Sequence, residues 1–162
     1  MNIFATDPDP AASARALDDR RLNKMIVESG QILSTALHLA GRGSPDLYQP
    51  AYPRHPIVLW AAADARNYAW LWRHLRALLA ERAFRTGGRP HRTERLAPLL
   101  GAAVATSAPP AGFCNCTPHP RTRDVHRAYR QTLVEKWRRD TPPPRWTRRA
   151  PPRFWSRARG RS

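Results

Sequence analysis

Lysine is almost missing from this basic chain: of 28 lysines and arginines in 162 residues, only Lys24 and Lys136 are lysine. Acid is scarce as well, and unevenly so. Residues 1–80 hold nine basic and seven acidic side chains, whereas residues 81–162 hold nineteen and five. Abundant Arg, Ala and Pro suggest GC-rich coding. That accounts for arginine over lysine, but not for the shortage of acid in the second half. A formal net charge of +16 this one-sided excludes an ordinary near-neutral surface and points to a polyanionic partner held in a salt-dependent way. Long apolar runs are absent: nothing approaches the roughly 18 residues of a membrane span. The opening MNIFATDPDP has no basic segment followed by an apolar one, so a signal peptide is not expected. Cysteine is limited to Cys114 and Cys116, too close together for a useful structural disulfide, which fits a reducing compartment. The expected setting is cytoplasmic and nucleoid-associated, with no membrane and no obligate protein partner. Alternating strand patterns and internal repeats are also missing.

What remains is helical. Residues 1–8 read as a short extended arm. Asp9-Pro10 is a helix start, with Asp as cap and Pro in the first turn. The pattern then runs from Ala11 to Ala40 and stops at Gly41, burying Leu22, Met25, Ile26, Ser29, Leu33, Ala36 and Leu37. After a Gly/Pro-rich loop, a second region spans Pro56 to Arg85 as one long helix or two with a break, ending at Gly87-Gly88. Residues 93–105 are weakly helical, 107–120 form a Pro-rich loop, and 122–139 form a fourth helix with His126, Arg130, Leu133 and Trp137 on one stripe. The tail TPPPRWTRRAPPRFWSRARGRS is too poor in aliphatics to fold alone. It is either an extended arm pinned by Trp146, Phe154 and Trp155 or disordered. The expected fold is all-α: a single compact domain of about four helices over residues 1–140, and a basic Pro/Arg-rich arm over 141–162.

At about 100° per residue, Arg21, Lys24, Glu28, Gln31 and Thr35 share one stripe beside the apolar face of the first long helix. A glutamate at the edge of a core, flanked by cations, suits general acid/base work. An amine can attack an electrophilic carbon when its pKa is lowered, and a guanidinium cannot, so Lys24 is of interest by type. The plainer reading is that Lys24 and Glu28 form an ordinary i,i+4 surface pair.

The stretch LDDRRLNKMIVESGQIL at 17–33 resembles the first helix of the pyrimidine dimer DNA glycosylase (endonuclease V-type) family. RHPIVLW at 54–60 and VHRAYRQTLVEK at 125–136 are similar to segments of its bacterial members, in matching order. The resemblance implies a compact all-α fold and excision of a base from a UV-induced pyrimidine dimer. It also implies strand cleavage by β-elimination, through an N-terminal α-amine that attacks C1′ and a helix glutamate that assists. By that alignment the glutamate is Glu28. The chain departs from the phage pattern in two places. Asn2 usually protects Met1 from removal, which leaves the Met1 amine, Lys24 or neither as nucleophile. Gln31 stands where the phage members have an arginine. No cofactor or metal is required. Arg20, Arg21 and Arg130 are cations that would depress the pKa of a nearby amine.

Further nucleic-acid contacts are expected from His55 before Pro56, from His91, from His126, Arg127 and Arg130, and from Trp146 and Arg148 in the cation-flanked tail. Each has a plain alternative as a cap, a solvated face or a docking anchor. Trp60, Tyr68, Trp70, Trp72 and Trp137 are expected in the core. Cys114, Cys116 and His119 supply only three ligands at an unusual spacing, so a free-thiol loop is preferred to zinc. The resulting expectation is a DNA repair glycosylase with AP-lyase activity, acting on damaged or modified pyrimidines in double-stranded DNA. The rivals are a non-catalytic DNA- or RNA-binding protein of the same fold and an enzyme acting on nucleotides or tRNA.

Overall fold

Asp9 caps the first helix by accepting from the backbone amides of Ala11 and Ala12, and Pro10 fills the first turn, where no amide is needed. In the computed structural model, which describes residues 1–160, this helix, α1, covers only Pro10–Ala16. The long first helix expected from the sequence is therefore divided. Asp18 accepts from the Arg21 amide and starts a second helix, α2, over Asp19–Leu39. The corner leaves the carbonyls at the end of α1 without intrahelical partners, and side chains satisfy three of them. The Arg85 guanidinium donates to the carbonyls of Arg15 and Leu17, and the Trp146 indole donates to Ala16. Gly41, at φ 68°, ends α2 in the left-handed conformation that glycine adopts freely.

The second helical region also breaks. α3 spans Pro56–Ala63 and α4 spans Ala65–Thr86. Asp64 separates them, extended at φ −149° and capping α4 through the Arg66 amide. A 3₁₀ turn at Arg92–Leu96 leads into α5, Ala97–Gly101. α6 covers Val125–Arg139 and α7 covers Arg153–Arg159. The described residues thus form seven α-helices and no strand, rather than about four helices. The extra elements are short: α1 and α3 start at side-chain caps from Asp9 and His55, whereas α5 and α7 have none. No helix of the described residues is long and apolar enough to cross a membrane.

The core lies between α2 and α4. Leu22, Met25, Ile26, Leu33, Trp70, Leu71 and Leu75 are essentially inaccessible there, and all seven residues read as the buried face of the first long helix are buried. The tail joins this core. Trp146 and Trp155 pack edge-on against Trp137 of α6, and Phe154 stacks on it. Of the two readings of the tail, the pinned arm is the one observed, with a helical turn added.

The N-terminal arm is extended and has no strand to pair with, so its carbonyls need side-chain donors. Trp70 of α4 donates to Pro8, and His74 of α4 lies between the carbonyls of Ile3 and Pro10 at 3.1 and 3.0 Å. From the other side His126 meets Ala5 at 2.7 Å and Arg130 donates to Thr6 at 2.8 Å. Ile3, Phe4 and Ala5 are buried beneath these staples. The arm therefore ends at a fixed point on α2.

Candidate active site

That fixed point is Glu28. The backbone amide of Asn2 donates to Glu28 Oε2 at 2.7 Å, which brings the peptide between the first two residues against the carboxylate. Lys24 Nζ lies 3.5 Å from the other oxygen. The glutamate side chain is 14 % exposed while the lysine is 67 % exposed, so one oxygen faces the arm and the other faces an open cation. The Asn2 side chain also folds back on the arm, its oxygen accepting from the amides of Ile3 and Phe4. Phe4 is held at φ 42°, a left-handed backbone rare for an aromatic residue.

His55 completes the surroundings. Its Nδ1 accepts from the Ile57 amide at 3.2 Å and so caps α3, as a loop-to-helix junction would. Protonation at Nδ1 would cost that cap, so the neutral ring carries its hydrogen on Nε2. Its pKa lies below the ordinary histidine value, first through burial and next through the positive charge of the chain terminus, with Glu28 acting in the opposite sense. His55 therefore feels both the amine and the carboxylate.

The far wall is the loop before α6. Asn2 Nδ2 is 3.4 Å from the Cys116 carbonyl, and Tyr129 of α6 holds the loop by donating to the Cys114 carbonyl. The two thiols are 3.3 Å apart. Burial and the neighbouring sulfur push the Cys116 thiol well above its usual range, which keeps it protonated and a poor nucleophile. No group of three metal-ligating side chains occurs among the described residues, and His119 pairs with Glu135 at 3.1 Å instead.

Glycine has one clear structural role near this site. A Cβ on Gly30 would come within 2.7 Å of Thr93 and 3.1 Å of Tyr48. Without that Cβ the Tyr48–Thr93 hydrogen bond, 2.8 Å long, lies directly on α2, on the face turned away from Glu28.

The other residues picked from the sequence divide into two groups. Arg20 is exposed, 3.8 Å from Asp140, and Gln31 is half-buried on the Glu28 stripe. Arg127 is exposed on α6. These remain open to a ligand. Arg21 does not: its guanidinium donates to both oxygens of Asp140 and to Asp18 in a buried cluster. His126 and Arg130 support the arm. His91 caps the 3₁₀ turn through the Thr93 amide, Arg148 donates to the Phe84 carbonyl, and Trp146 is buried at the α1–α2 corner. Sequence reasoning missed Asn2 and the loop around Cys116. Neither carries a local signal, because their partners lie 26 and 114 residues away.

Neither a curated protein nor a solved structure matches the chain. The family profile described as pyrimidine dimer DNA glycosylase matches residues 1–94, more than half of the chain. Glu28, its arm and the His55 cap all fall within the matched stretch, whereas α6 and the tail that secure the arm fall outside it. On this match, the chain belongs to the pyrimidine dimer DNA glycosylase family.

Proposed function

We propose that the chain excises a damaged pyrimidine from duplex DNA and then cleaves the strand, using an amine beside Glu28 as nucleophile. The observation that carries this reading is the 2.7 Å hydrogen bond from the Asn2 amide to Glu28, which holds the peptide joining Met1 to Asn2 at the one carboxylate that the family resemblance singles out. The amine attacks C1′ and the glycosidic bond breaks, its electron pair leaving with the base. Loss of a proton from nitrogen and opening of the sugar ring then give an imine. Removal of a C2′ proton expels the 3′ phosphate, and water hydrolyses the imine to release the amine. Glu28 steadies the developing positive charge on the sugar and relays these protons. An amine must be neutral to attack, and the α-amine class loses its proton nearer neutrality than lysine does. Lys24 is also the more solvent-exposed of the two candidates, so we assign the attack to the first residue and charge support to Lys24. Arg20, Gln31 and Arg127 are the open groups for DNA contact.

Borohydride trapping tests this. The protein is incubated with a duplex holding one abasic site or one cyclobutane dimer, reduced and digested. An adduct on the first residue supports the proposal, and an adduct on Lys24 moves the nucleophile. Salt-sensitive DNA binding with no adduct on either substrate would leave a hydrolytic glycosylase or a non-catalytic binder.

A further inference from the structure

Tyr52 is 72 % exposed, the most exposed large apolar side chain among the described residues. Its backbone is left-handed, at φ 50°. It also precedes Pro53, whose ring favours extended backbone at negative φ in the residue before it. Such a conformation persists only when the surroundings impose it. Here they do so from both sides. Thr35 of α2 accepts from the Ala51 amide at 3.0 Å while donating to the Gln31 carbonyl at 2.8 Å, and the His55 amide donates to the Tyr52 carbonyl at 2.9 Å. Tyr48 fixes the start of the loop through Thr93. The loop is held firmly, yet the ring it presents stacks on no other ring and meets no cation among the described residues. The strain gives the fold no packing in return.

The position of the ring explains this. Thr35 lies two turns beyond Glu28 on the same stripe, about 10 Å along the helix axis. His55, three residues on, lies close enough to the terminal amine and to Glu28 for both charges to act on it. Bases in a strand are about 3.4 Å apart, so the point where Thr35 anchors the loop lies about three base steps from a sugar seated at Glu28. Exposed Pro53 and Arg54 follow it, the latter a cation for the adjoining phosphate. Attack at C1′ requires the reacting nucleotide, or its opposite, to leave the stack, and a ring inserted beside the gap would keep it out.

We infer that Tyr52 is a stacking wedge that enters the base stack of bound duplex DNA next to the reacting nucleotide. This rests on the glycosylase reading for its location, but not on turnover for its test. The probe is a duplex with a tetrahydrofuran abasic analogue and 2-aminopurine opposite it or at either neighbouring base, one position per duplex. Fluorescence is read at protein concentrations that saturate binding. Wild type and Glu28→Gln should both brighten one of the three probes. Tyr52→Gly and Tyr52→Ala should bind yet lose that signal by about 10-fold in the unstacking equilibrium, the scale of one base–aromatic stack. Tyr52→Phe should keep it. Tyr52→Gly should melt no lower than wild type, because glycine relieves the positive φ. Unchanged brightening in Tyr52→Gly, or none in wild type at saturation, overturns the inference. A tyrosine-dependent signal in a protein that never releases a base would leave the wedge standing and remove the catalytic reading.

Discussion

Two glutamates share one sequence pattern and have opposite surroundings. Glu28 pairs with Lys24 and Glu81 with Arg85, each at i,i+4 spacing on a long helix. At Glu81 both oxygens are taken by guanidinium groups. Arg85 donates to Oε1 at 2.8 Å, and Arg149 grips both oxygens at 2.9 and 2.8 Å. Burial alone would raise its pKa, but these hydrogen bonds outweigh it and hold it below the usual value. At Glu28 a backbone amide takes one oxygen and a single exposed ammonium stands loosely at the other. A saturated carboxylate can only hold the fold together. An undersaturated one, fixed at the end of a stapled arm, can still exchange a proton or steady a new charge. The difference lies in unused acceptor capacity rather than in helix spacing or type of residue.

Replacing each carboxylate by its amide should separate the two. Glu28→Gln is expected to lower base release or strand cleavage by about 10²- to 10⁴-fold, the scale of a positioned proton-transfer group. Its unfolding free energy should change by less than about 1 kcal/mol, since one exposed i,i+4 pair contributes only tenths. A Glu28→Gln protein with full activity would end the distinction. Glu81→Gln should do the reverse, costing about 1–3 kcal/mol in urea unfolding, because the nearly inaccessible Arg85 keeps Asp19 at 2.9 Å but loses the charge of its buried i,i+4 partner. Activity per folded molecule should survive. Acid sharpens the same contrast. Glu81 has a depressed folded pKa, so its contribution is complete above its unfolded value near 4.5 and is lost as pH falls through the folded one. The wild-type stability curve should therefore drop below pH 4.5 more steeply than that of Glu81→Gln.

A finer effect is expected at His55, whose pKa is lowered by burial and by the terminal amine and raised by Glu28. Glu28→Gln removes the only upward influence, so a histidine NMR titration should show His55 moving further down; an upward shift would mean that the ring and carboxylate do not sense each other. The smallest effect should come from Lys24→Arg, which keeps the pair and should change stability by less than about 0.5 kcal/mol. The trapped adduct should remain on the first residue.

Much of the helical framework was legible in the sequence because periodicity and caps are local signals. Asp9-Pro10, Gly41 and the buried face from Leu22 to Leu37 all emerge from spacing. The break at Leu17-Asp18 did not, because it depends on Arg85 and Trp146 satisfying carbonyls 68 and 130 residues away. Glu28 stood out on its polar stripe at the edge of the core, and the family resemblance then singled it out. Its distinction from Glu81 was not visible, since Arg149 and the Asn2 amide approach from distant sequence. Arg21, Trp146 and Arg148 illustrate the same limit. Their types suit nucleic acid, but tertiary partners already occupy their donors.

The stapled arm sets an order of events during synthesis. Its first residues leave the ribosome before anything else, yet the side chains that clamp Ala5 and Thr6 are His126 and Arg130. A growing chain that has not yet exposed α6 has its glutamate and its leading residues, but only α4 to hold them in register. A chain stopped before Val125 should fold much of its helical interior and still lack a seated first residue. Under the lyase mechanism proposed above, reactivity toward an aldehyde sugar would be withheld until α6 has been made, and incomplete products would be poorly equipped to nick the genome.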